Sequence, residues 1–285
     1  MTERLFGFVQ WEFPGRLGPD PGRYPVRRFA GDDVREIVVI GGLQAPRRSL
    51  LPRPRKRPRA VEGPSLEPVD VTRATVIDAV PMHAPERAAA WLEAAAGEQR
   101  DAVLEDALAV LNRAVAAHRV AAADPLIADA GPRRAIATRV GYGRGEQVAE
   151  GEWLAARELP PPPPEAWHLI APQLRVGAIL SGRDVALACE ELLLRTRADL
   201  AAGRQREAAM QAHLALEAGV AELESWRGQA DMAQRLEELA GLREGVAEAA
   251  NAAIQGGLEP PQVDAVERAM ARLAAALRAR AVRGS

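Results

Sequence analysis

The sequence predicts an α+β protein: an N-terminal domain with a small antiparallel sheet and two helices, followed by a C-terminal α-helical bundle. Three observations predict it. Residues 5–13, LFGFVQWEF, alternate with the period of a strand. The run Pro160–Pro164 forms a stiff polyproline II spacer between two differently patterned halves. Beyond it, apolar residues recur at the three-and-four spacing of helices that bury one face. These features place the α+β domain at residues 1–157, a Pro-rich linker at 158–171 and the helical bundle at 172–285.

In the first strand Val9, Trp11 and Phe13 share one side, and Gln10 and Glu12 the other. Six prolines and glycines between Pro14 and Gly22 break regular structure, before Tyr24–Phe29 and Arg35–Ile40 supply two further strands rich in β-formers. Residues 44–68 hold six prolines and no aromatic side chain, which reads as a basic Pro-rich loop or linker. Alternation returns at Val71–Val80, so this segment reads as an insertion within one sheet. Pro85 can open a helix over Glu86–Ala96 that stops at Gly97. A longer helix follows from about Glu98 to Ala123, striped by Leu104, Leu108, Leu111 and Val115 and ended by Asp124-Pro125. Ala135–Tyr142 and Gln147–Ala155 then flank GYGRG as the two arms of a hairpin. In the C-terminal half, helices are expected over Gln173–Leu180, Asp184–Ala202, Gln205–Glu224, Met232–Ile254 and Gln262–Val282, with breaks at Gly203, Gly256-Gly257 and Pro260-Pro261.

The composition, 48% hydrophobic and 27% charged, is that of a folded chain. No N-terminal stretch reads as a signal peptide, and no apolar run reaches the roughly 18 residues of a membrane helix. A cytoplasmic setting and no membrane span are therefore expected. The single cysteine, Cys189, excludes an intrachain disulfide and a thiolate metal cluster. The net charge of -2 conceals an asymmetry: residues 1–68 carry 13 basic and 8 acidic side chains, leaving 24 and 31 for the remainder.

The basic excess centres on Arg47, Arg48, Arg53, Arg55, Lys56, Arg57 and Arg59. Seven positive charges without an acid attract phosphate or an anionic surface, but no aromatic residue is interleaved for base stacking. These seven are the candidate anion or nucleic-acid contacts. GYGRG, residues 141–145, has the glycines of a phosphate loop but no following helix or Lys-Ser/Thr pair, and reads as a turn. His83, His118, His168 and His213 offer no zinc-helix spacing. Cys189, expected mid-helix among leucines, suits a bundle core better than a nucleophile. Leu192, Gly203, Ala208 and Ala215 carry a partial tetratricopeptide-like pattern that amounts to one helical hairpin with Gly203 at its turn.

RLFGFVQWEF, RVGYGRGEQVAEGEW and GRDVALACEELLLR resemble segments of proteins of high-GC Gram-positive bacteria to which no activity is assigned. The resemblance implies a bacterial cytoplasmic setting and transfers no catalytic residue. The expectation is a non-enzymatic scaffolding or protein-interaction protein, without cofactor or metal, that meets a protein partner or its own copy through the helical domain. Two alternatives stand beside it: an enzyme with its site in the α+β domain, and a nucleic-acid-binding accessory that uses the basic loop.

Overall fold

The computed structural model describes residues 4–27, 31–43, 70–161, 172–229 and 231–283. The chain divides into two compact units, Met1–Pro163 and Pro164–Ser285, each with its own core. The fold is α+β, an antiparallel sheet followed by helices.

Six strands build the first unit: β1 (Phe6–Pro14), β2 (Gly22–Val26), β3 (Glu36–Leu43), β4 (Val71–Asp78), β5 (Ala137–Gly143) and β6 (Ala155–Leu159). Their order is β2-β3-β4-β1-β5-β6 and every pairing is antiparallel. The apolar side of β1 sets the register, with Val9 opposite Val76 and Val140. Val9, Trp11, Phe13, Val38, Ile40 and Val76 are buried against Leu92 of α1 (Pro85–Ala96) and Leu111 and Val115 of α2 (Arg100–Ala122). Helix α1 starts on Pro85, whose missing N–H lies among donors that have no intrahelical partner. Helix α2 ends at Ala123, held at a φ of 50° with its N–H returned to Arg119 and Val120.

The other sheet face buries Phe8, Ile77 and Val148, with Trp153 stacked on Phe8 at 5.8 Å. Gln10 and Glu12 point this way too. Gln10 is fully buried and donates to Thr75 Oγ1 at 2.9 Å and to the Val148 carbonyl at 3.3 Å. Glu12 accepts from Arg139 at 2.7 Å and from Arg73 at 3.1 Å. Burial opposes the charge on Glu12, but the two guanidiniums outweigh it and hold its carboxyl below the usual range.

The hairpin expected around GYGRG differs in its second arm. Residues 147–155 are not a strand: Glu146–Glu150 form a 3-10 turn with Val148 and Ala149 buried, and β6 begins only at Ala155. The glycines explain the difference. A Cβ at Gly141 would lie 2.5 Å from the Ala155 oxygen, and one at Gly143 would lie 2.5 Å from Val148 Cγ1. Gly145, at a φ of 89°, turns the chain back over the sheet. Gly143 thus makes room for the turn that covers Gln10, and Gly141 for the backbone of β6.

The second unit comprises α3 (Pro172–Leu180), α4 (Ala188–Ala201), α5 (Gln205–Leu223), α6 (Met232–Gly241), α7 (Arg243–Gln255) and α8 (Pro260–Arg283). Its core joins Ala209, Ala212, Ala215 and Leu216 of α5 to Leu236 and Leu239 of α6, Val246 and Ala253 of α7 and Met270, Leu273 and Leu277 of α8. The alanines let the helices approach closely. A Cβ at Gly219 would lie 2.5 Å from Leu273 Cδ1. Gly203, at a φ of 70°, turns α4 into α5, and Asp199 accepts from Arg204 at 2.6 Å and Gln211 at 2.5 Å to close the hairpin. Two expected helices are corrected. The 184–202 helix starts at Ala188, because the Asp184 side chain accepts the Val185 N–H at 2.7 Å and ties that residue into ion pairs. The 232–254 helix divides at Leu242, where a bend after Gly241 keeps both apolar stripes on the core. Among the described residues, no helix is long and apolar enough to cross a membrane.

Candidate functional site

The seven candidate contacts Arg47, Arg48, Arg53, Arg55, Lys56, Arg57 and Arg59 lie outside the described residues, as does His168. What is described is their anchorage: Leu43 at the end of β3 pairs with Val71 at the start of β4. The segment thus joins two adjacent antiparallel strands. It is an insertion in a hairpin of the sheet.

Cys189 is the second residue of α4 rather than a mid-helix residue, and it is fully buried. Burial pushes its thiol pKa up to about 12, with Glu222 adding to the rise. A thiol so placed is protonated at neutral pH and is no nucleophile. Glu222 of α5 instead accepts the N–H groups of Ala188 and Cys189 at 3.0 and 2.9 Å, placing a carboxylate on unpaired donors at the start of α4. Burial disfavours that carboxylate, yet these hydrogen bonds lower its pKa overall. Among the described residues no three His, Cys, Asp or Glu side chains are grouped to hold a metal.

Several concave regions lie among the described residues, one of them in the sheet unit and another beside α3. In the first unit a cavity of about 190 Å³ lies between the sheet and the helices, lined by Val9, Val76, Trp91 and Val110 with Glu36, Asp78 and Asp106. Glu36 and Asp78 are direct cross-strand partners, an unfavourable pairing of like charges. Burial raises the Glu36 pKa and Asp78 raises it further. Trp91 packs so closely that a Cβ at Gly7 would lie 3.0 Å from its ring. Among the described residues its lining holds no Ser, Thr, Cys, His or Lys, and Arg113 and Arg35 offset part of the rise in the Glu36 pKa.

The larger region, about 600 Å³, belongs to the second unit and lies beside α3. Its apolar lining is Leu174, Ala178, Val185, Trp226 and Ala281. Helix α3, PQLRVGAIL, carries one charge and apolar residues on all sides, the pattern of a helix enclosed by protein. None of its residues is buried: Leu174 is 71% and Leu180 82% exposed. What ties it to the bundle is Arg175, which donates to Asp184 at 3.1 Å and to Glu190 at 2.6 Å. Arg280, itself buried, donates to Asp184 at 2.7 Å and lies 4.7 Å over the Trp226 ring. Glu190 also accepts the Leu187 N–H at 3.0 Å and so caps α4. A salt-linked frame therefore holds α3 beside the bundle with an apolar slot open along its Leu174–Ala178 side.

The helix at 173–180 is legible in the sequence, but its exposure is not. Its signal was the missing polar face, which separates α3 from the striped helices that follow. No family model, no curated protein and no solved structure matches the chain.

Proposed function

We propose that the protein is a non-enzymatic interaction protein of the bacterial cytoplasm whose helical unit binds a protein partner at α3. The observation that carries this reading is an all-round apolar helix with no buried residue. Such a helix has the composition of an enclosed element and the exposure of a surface one, and contiguous exposed apolar area of this kind marks docking sites. The exposed Leu174, Val176, Leu180 and Val185 extend the apolar area of the slot onto the adjoining surface.

The reading as an enzyme has less support. Two of the slot's three arginines, Arg175 and Arg280, are already paired to carboxylates, and the one cysteine of the unit has its thiol held protonated. The test is affinity capture with the tagged full-length chain, run in parallel with the Leu174→Glu/Leu180→Glu variant. Both positions are exposed, so the variant is expected to fold and to melt like the parent. Proteins retained by the parent and lost with the variant support the reading. An identical set retained by both defeats it.

A further inference from the structure

We propose that the segment docking at α3 is an amphipathic helix with an acidic polar face, seated with its apolar side in the slot and a carboxylate on Arg183. This rests on the reading of α3 as a docking surface and names the chemistry of its partner. The argument is charge complementarity. Three arginines line the slot, Arg175, Arg183 and Arg280, against one acid, Asp184. Arg175 and Arg280 are committed within the chain to Asp184 and Glu190. Arg183 is exposed, and among the described residues its side chain donates from Nε to Ser181 Oγ at 3.0 Å and pairs with no carboxylate.

An incoming carboxylate at Arg183 makes a charge-assisted pair at the edge of the apolar floor. A lysine or arginine brought to the same place meets a like charge. The apolar floor of Leu174, Ala178, Val185, Trp226 and Ala281 takes the other side of the segment. A volume of about 600 Å³ accommodates several side chains and fits the recognition mode in which an amphipathic helix lies in a groove.

The test uses the full-length chain and two fluorescein-labelled synthetic helices with the same Leu/Ala stripe, one with a glutamate polar face and one with a lysine polar face. Fluorescence anisotropy at near-physiological salt is expected to show the glutamate peptide binding about tenfold or more tighter. Arg183→Glu should reverse that preference, Arg183→Gln should abolish it, and Leu174→Glu should weaken both peptides. Equal affinity for the two peptides, or a preference unchanged in Arg183→Glu, overturns the acidic-partner proposal and leaves the docking role of α3 standing. Binding of neither peptide overturns it as well. So does Arg183-dependent binding of decanoate without either peptide, which would make the slot a site for a small amphiphile. Loss of α3 dependence in the affinity capture is a separate result and bears on the docking role itself.

Discussion

Glu12 and Glu36 lie in the same sheet and their environments act in opposite directions. Glu12 lies between two guanidiniums, and its folded-state pKa is lowered despite burial. The stability it contributes is therefore present above its unfolded-state pKa and is lost as pH falls through the folded value. Glu12→Gln puts a neutral amide where the carboxylate shared by Arg73 and Arg139 stood and is expected to cost about 2 kcal/mol at pH 7. The gap between parent and variant should close in acid, as read from denaturant midpoints across pH. Glu36 has its pKa raised by burial and by Asp78. Its ionisation disfavours the folded state, so its penalty grows as pH rises through the folded value and vanishes in acid. Glu36→Gln should raise the denaturation midpoint at pH 7 and leave it unchanged in acid. Cys189 offers a third check, because its buried thiol should resist alkylation at pH 8 in the native protein and react fully after denaturation.

At the scale of elements, α3 is tied by its ion pairs, and strands β3 and β4 are paired up to Leu43 and Val71. Arg175 links α3 to Asp184 and Glu190, while no residue of the helix is buried. Arg175→Ala is therefore expected to raise amide hydrogen exchange across 172–180 and leave protection in α5 to α8 unchanged. Equal loss of protection throughout the unit would show that α3 is part of its cooperative core. For the insertion, the Leu43–Val71 pair closes the β3–β4 ladder. Replacing residues 44–69 by a short Asn-Gly turn should keep the sheet and its melting temperature within a few degrees. A large drop would assign a structural role to the basic segment.

For the molecule as a whole, two cores in two units imply two folding units. A fragment from Glu165 to Ser285 is expected to be helical and to melt cooperatively, because each helix from α4 to α8 buries its stripe against others of the same unit. Its stability should be modest. Ala209, Ala212, Ala215, Ala249, Ala253, Ala269 and Ala276 fill central positions, and each buries less apolar area than a leucine, at about 25 cal/mol per Å². Low helicity or a non-cooperative melt by circular dichroism would show that the helices need the first unit. Sedimentation of the same fragment tests whether a second copy covers α3: a concentration-dependent dimer abolished by Leu180→Glu would make the partner the chain itself.

The sequence by itself determined the α+β class, the period of β1, the placement of α1 and α2, and the helical character of the described residues from Pro172 onward. It did so because each of these depends on a local period, a cap or a breaker that neighbouring residues carry. After GYGRG, a period of two at Val148, Glu150, Glu152 and Leu154 is compatible with a strand and with a compact turn, and only the close approach of Val148 to Gly143 shows which applies. The start of α4 moved because Asp184 is held by Arg175 from one helix and Arg280 from another, a constraint invisible within a window of residues. The candidate site follows the same rule. PQLRVGAIL shows that α3 is apolar all round, but whether such a helix is enclosed or left at the surface depends on which other elements reach it. That is a property of packing, and only the tertiary structure decided it.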